Sequence, residues 1–189
     1  MNGQSDPQAS KNKRSFDNIA LIGYRAAGKS TLAQALADAA SMPLCSSDRL
    51  AVEQAGMPIA DLVAQRGWPA FRRIEERIVK SLARRRGIVI DCGGGTAALP
   101  EAMHALAATS LIVHIDAEIE IIRMRLRAAP RPLLAAANVD DDIASTYEVR
   151  QALYRRWADI RVDSSHSTAA ELAAAVRRSF SQFQAAYER

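Results

Sequence analysis

From Asn18 onward, short apolar runs alternate with longer stretches whose apolar residues recur every three or four positions. The short runs predict strands at 19–22, 44–45, 88–90, 111–115 and 160–162. The longer stretches predict helices at 30–40, 50–65, 70–86, 99–108, 117–128, 140–157 and 168–187. The second helix is interrupted at Gly56 and Pro58, and the third is stopped by Gly87. Unbroken apolar strands separated by helices imply a parallel sheet covered on both faces, an α/β fold. Residues 129–138 contain two prolines and predict a loop. The Asp140-Asp141-Asp142 run is expected at a helix N-terminus, where acidic side chains offset the helix dipole. Residues 1–17 are polar and are expected to form a disordered tail ahead of one domain spanning 18–189.

Composition narrows the class. The chain has 189 residues, 49% hydrophobic and 24% charged, which fits one globular domain. Disordered, collagen-like and disulfide-dense chains are excluded. Cys45 and Cys92 lie far apart without a CxxC spacing, so neither a disulfide framework nor a zinc site is expected. Reduced, buried thiols in a cytoplasmic protein are the expectation. No apolar stretch reaches membrane-spanning length, and the N-terminus lacks a signal-peptide core. A formal charge of +4 with 5% aromatic residues, not interleaved with basic ones, argues against a nucleic-acid partner. Of 25 basic residues only Lys11, Lys13, Lys29 and Lys80 are lysine. The arginine excess has two readings, recognition of carboxylates and phosphates or the codon bias of a GC-rich genome.

One lysine stands in a motif. Gly23-Tyr24-Arg25-Ala26-Ala27-Gly28-Lys29-Ser30 matches G-x-x-x-x-G-K-[ST], between a predicted strand and a predicted helix. Glycines let the backbone wrap a phosphate chain, and the N–H groups of Arg25, Ala26, Ala27 and Gly28 with the helix N-terminus at Ser30 and Thr31 face the anion. Lys29 is placed to reach the β- and γ-phosphates, and the Ser30 hydroxyl to ligate Mg²⁺. The ligand is therefore expected to be ATP with Mg²⁺.

Downstream come Ser47-Asp48, Phe71-Arg72-Arg73-Ile74-Glu75-Glu76, Gly93-Gly94-Gly95, Arg131-Pro132-Leu133-Leu134 and Arg150 before Leu153-Tyr154-Arg155-Arg156. Read alone, Asp48 follows the second strand, where a carboxylate could orient or deprotonate an attacking hydroxyl, or merely cap a helix beginning at Arg49. Arg72 could form a solvated pair with Glu76 on one helix face. Three consecutive glycines after a buried strand suggest close backbone approach to a ligand. Read alone, Arg131 and Arg150 could also be solvated surface charges, the lesser of the two readings for each.

In this order and spacing the set resembles the shikimate kinase family, from about Ile19 to Phe183. The resemblance implies a three-layer α/β/α fold with a five-stranded parallel sheet, like nucleoside monophosphate kinases. It implies a mobile lid at about 126–140. It implies a monomeric cytoplasmic enzyme that phosphorylates the 3-hydroxyl of shikimate with ATP, in aromatic amino-acid biosynthesis. By resemblance Lys29, Asp48 and the lid's Arg131 are catalytic. Asp48, Arg72, Arg150 and Gly93, Gly94 and Gly95 hold the acceptor, with Glu75 supporting Arg72.

Three positions depart from the family pattern. Ser46 stands where the family usually has an acid that helps hold magnesium. Asp91 supplies an acid at the end of the third strand, where a Walker-B carboxylate operates, and is expected either to organise Mg²⁺ or to bond local backbone. Ala152 replaces a common proline. Met124 occupies the position of the adenine-side arginine, leaving Arg123 or Arg125 to take that role, with Arg125 assigned to the nucleotide. These departures leave room for another hydroxy-acid acceptor, or for a nucleotide-binding sensor with little turnover.

Overall fold

The computed structural model describes residues 14–128 and 138–187. Strands β1 (Asn18–Ile22), β2 (Leu44–Ser46), β3 (Val89–Asp91), β4 (Ser110–Asp116) and β5 (Ile160–Asp163) form one parallel sheet in the order β2-β3-β1-β4-β5. β1, β3 and β4 are buried at every position, as a sheet covered on both faces requires. Helices α1 (Lys29–Ala40) and α7 (Ala169–Tyr187) pack together on one face. Helices α3 (Ile59–Leu82), α4 (Pro100–Thr109) and α6 (Val139–Trp157) cover the other. Helix α2 (Ser47–Ala55) packs on α3, and α5 (Ile119–Ala128) on α6. The expected three-layer α/β/α architecture is the observed one.

Two boundaries differ from the sequence pattern. The expected interruption at Gly56 and Pro58 separates α2 from α3, and the expected gap between 65 and 70 stands as a break inside α3, which ends at Leu82 and not at Arg86. Gly56, at φ 66, terminates α2. Gly67, at φ 74 and ψ 164, is non-helical and divides α3 into two helical segments, and Pro69 sits in the first turn of the second, where its missing N–H has no partner to lose. The second difference is at the N-terminus, where residues 14–17 belong to the domain and not to a tail. Arg14 forks onto the Asp159 carboxylate, with Nη2 2.6 Å from Oδ2, and also donates to the Ser110 carbonyl at 2.7 Å. Phe16 packs on Phe183 with ring centroids 5.0 Å apart. One phenylalanine in a polar stretch gives no periodicity to read. Of the expected lid, 126–128 end α5 and 139–140 begin α6. The remainder, with Arg131, lies outside the described residues.

No helix among the described residues is long and apolar enough to cross a membrane. Cys45 and Cys92 are both buried and free.

His114 sits on β4 with no solvent exposure, its ring 5.1 Å from that of Tyr154. Neither ring nitrogen has a hydrogen-bond partner among the described residues. Burial lowers its pKa to about 4, against the raising effect of Asp116 and with the lowering effect of Arg161. The folded state therefore keeps His114 neutral while the unfolded chain takes up a proton near pH 6.5. Its contribution to stability is complete above that pH and is lost as the pH falls towards 4, by roughly 3 kcal/mol in total. Urea unfolding at pH 7 and pH 4.5 is expected to show a steeper loss in the wild type than in His114→Leu, by roughly 2–3 kcal/mol. Equal losses would show that this ring does not titrate as its surroundings dictate.

Candidate active site

The carboxyl ends of β1, β2 and β3 deliver three loops to one edge of the sheet, where open α/β folds bind ligands. The segment after β1 carries the phosphate-loop motif. Gly23 is wedged against the Ile115 carbonyl, with no room for a side chain. Gly28, at φ 92, leads directly into α1. Ala26 holds a left-handed φ of 63, a conformation that costs a non-glycine residue about 1 kcal/mol. Lys29 is buried, and its Nζ donates to the Tyr24 carbonyl at 3.0 Å. The Ser30 hydroxyl donates to Asp91 Oδ2 at 2.7 Å.

A cavity of about 390 Å³ opens above this loop. Its walls include Arg25, Ala26, Gly28, Lys29, Ser30, Thr31, Asp91 and Arg125. Gly23 and Ala27 do not line it. Arg125 bridges the Ala26 carbonyl at 3.1 Å and the Ser164 carbonyl at 3.2 Å, which places its planar guanidinium along the cavity wall. Ser164, Ser167 and Leu172 also line it, and the sequence pattern did not single them out. Cys92 also lines this cavity; burial first, then the neighbouring Asp91 and Glu75, push its thiol pKa well up, so it stays neutral.

A second cavity, of about 380 Å³, lies alongside. Asp48, Arg72, Glu75, Gly93, Gly94, Gly95 and Arg150 line it, together with an apolar wall of Val52, Pro58, Ile59, Trp68 and Phe71. Both cavities share Arg25, Asp48 and Gly94. Asp48 does not cap its helix: the Ser46 hydroxyl accepts from the Arg49 N–H, leaving Asp48 in the first turn of α2. Arg72 does not pair with Glu76 in solvent. It pairs with Glu75, which is 1% exposed and whose Oε1 accepts from the Thr96 hydroxyl at 2.7 Å. The Arg72 guanidinium also lies 5.0 Å from the Trp68 ring and 5.2 Å from the Phe71 ring.

The three glycines make room for the functional side chains and the phosphate loop. A Cβ at Gly93 would stand 2.5 Å from Glu75 Oε1 and 2.6 Å from Asp48 Oδ1, and one at Gly95 would fall inside the Arg72 guanidinium. The Gly93 N–H donates to the Ser47 hydroxyl at 2.9 Å. The Gly94 carbonyl accepts from Arg150 Nη1 and from the Tyr154 hydroxyl, each at 2.6 Å. Burial raises the Tyr154 pKa, so the phenol remains a donor.

The site thus joins a phosphate-loop cavity to a pocket with three arginines, two carboxylates and an aromatic wall. That combination defines an ATP-dependent phosphotransferase of the phosphate-loop type. A family model described as "Shikimate kinase" matches residues 25–181. The chain belongs to the shikimate kinase family. It is 36% identical over 160 residues to a shikimate kinase of Rhodopirellula baltica, covering 82% of this chain and 86% of that one. It is 33% identical over 162 residues to a "Shikimate kinase 2" of Syntrophotalea carbinolica, covering 84% and 94%. A shikimate kinase from Acinetobacter baumannii, solved in complex with shikimate, superposes with a TM-score of 0.83 at 25% identity, covering 93% of this chain and 98% of that one.

The glycine contacts give a graded prediction. Gly95→Ala displaces the Arg72 guanidinium and is expected to raise the KM for the acceptor by about tenfold or more. Gly87→Ala, which meets nothing within 4 Å and lines neither cavity, controls for a general loss of stability and leaves that KM unchanged. Steady-state kinetics on both variants decide it; equal effects would remove Arg72 from acceptor binding.

Proposed function

We propose that the chain transfers the γ-phosphoryl group of ATP to the 3-hydroxyl of shikimate, giving ADP and shikimate 3-phosphate, as a cytoplasmic monomer. The observation that carries this reading is the pair of cavities meeting at Arg25, Asp48 and Gly94. A phosphoryl group leaving a ligand in one cavity has its acceptor in the adjoining one.

In this reading Arg72 and Arg150 hold the acceptor carboxylate, since both line the second cavity and guanidinium forks match carboxylates. Asp48 orients the attacking hydroxyl and takes its proton. The apolar wall of Trp68 and Phe71 packs against the ring and excludes water. Lys29 and the loop N–H groups neutralise the phosphates, and Arg125 lies along the base side. Arg131 is assigned to the phosphoryl group by family resemblance. Catalysis comes from positioning and charge neutralisation, with no covalent intermediate on the protein.

The donors at the phosphate loop fit a magnesium ion. The Ser30 hydroxyl and the Asp91 carboxylate are hard oxygen ligands already 2.7 Å apart, and Asp91 lines the nucleotide cavity. Mg²⁺ bound there would shield the β- and γ-phosphates. Asp91 pairs with Ser46 in the β2–β3 register, so the acid stands one strand over from the family's usual position. This contact supports an enzyme rather than a sensor.

A coupled assay for ADP release tests the reading. Turnover is expected to require both shikimate and Mg·ATP, and ADP formation independent of shikimate would sink it. Asp91→Asn is expected to raise the Mg²⁺ concentration at half-maximal rate by about tenfold. An unchanged magnesium dependence would return Asp91 to a structural role.

A further inference from the structure

Helix α6 carries polar side chains four residues apart at Asp142, Thr146, Arg150 and Tyr154, a single stripe along one face. Each member touches the active site. Asp142 pairs with Arg25 of the phosphate loop. The Thr146 hydroxyl meets the Tyr24 hydroxyl at 2.6 Å. Arg150 and Tyr154 both bond the Gly94 carbonyl. One helix therefore sets the separation between the loop that holds the donor and the loop that holds the acceptor.

Arg25 is the member whose side chain the motif does not account for. Phosphate loops bind through backbone N–H groups, and this x position of the motif needs no particular side chain. Here it is an arginine, 9% exposed, lining both cavities. Its partner Asp142 has no solvent exposure, so the charge pair is fixed by burial and not by surface chance. The guanidinium also lies 5.7 Å from the Tyr24 ring. A cation held where the two cavities meet stands beside the path of the transferring group.

We propose that Arg25 binds the phosphoryl group in transit and the phosphate of the product, and that Asp142 is the positioning residue that aims it. In the transfer the acceptor oxygen forms its bond to the γ-phosphorus. The bond from that phosphorus to the β-bridging oxygen breaks, with its electron pair leaving on ADP. The acceptor proton goes to Asp48. Arg25 compensates the negative charge of the moving group, which the unphosphorylated acceptor does not carry. The inference rests on the acceptor assigned above.

Calorimetric binding of shikimate and of shikimate 3-phosphate to the full chain, without nucleotide, tests it. Arg25→Met is expected to weaken shikimate 3-phosphate by about tenfold or more while shikimate stays within about twofold. The same variant is expected to lower kcat more than it raises the KM for shikimate. Asp142→Asn is expected to weaken the product in the wild-type background and to add nothing in the Arg25→Met background, because it acts through Arg25. The double variant removes both buried charges together, so it keeps the test available if either single variant unfolds. Equal weakening of acceptor and product, unchanged product binding, or additive effects would each overturn the inference alone. A wild type that binds neither compound would overturn the acceptor assignment and this inference with it.

Discussion

The carbonyl of Gly94 is where the active site is held together. It accepts from Arg150 and from Tyr154, while the Gly94 backbone lies against that of Arg25. Phosphoryl transfer tolerates little misplacement, because most of its acceleration comes from in-line positioning of donor and acceptor. Two loops from different strands must therefore keep a fixed spacing. The sheet fixes their roots, and α6 fixes their tips. The phenol of Tyr154, kept protonated by burial, makes that bond independent of pH across the physiological range.

Charges around the site are paired before any ligand arrives. Arg72 is set by Glu75, Glu75 by Thr96, Arg125 by two loop carbonyls, and Arg25 by Asp142. Long side chains that must reorganise around each ligand would lose rotamer freedom at every turnover. Here that ordering is completed on folding. The glycines of the third loop are the other half of this arrangement, since the space they leave is filled by Arg72, Glu75 and Asp48.

Features encoded within a few consecutive residues were legible in the sequence. The phosphate loop, the five strands and the glycine run are local patterns, and each stands where expected. Asp91 was singled out as an acid at a strand end, and the structure places it against Ser30. What was illegible depends on long-range contact. The acidic run at Asp140–Asp142 reads as a helix start, which it is, but nothing local says that Asp142 turns inward to Arg25, well over a hundred residues earlier in the chain. The four-residue spacing of the α6 stripe was present in the sequence, yet hydrophobic periodicity does not register polar side chains. The gap between the predicted helices stands at Gly67, but nothing local says that Trp68 and Phe71, just after it, line the pocket.

Arg14 has a consequence for how the chain can be handled and how it can diverge. Its bonds to Asp159 and Ser110 lie where β4 and β5 begin, at the edge of the sheet opposite the active site. Asp159 also accepts from the Ile112 N–H and is nearly inaccessible to water, so its carboxylate relies on that arginine for charge compensation. A shortened chain beginning at Asn18 would keep every residue of the catalytic site and still bury an uncompensated anion. Changes at Arg14 or Asp159 therefore act on the stability of the sheet from its far edge, away from both ligand cavities.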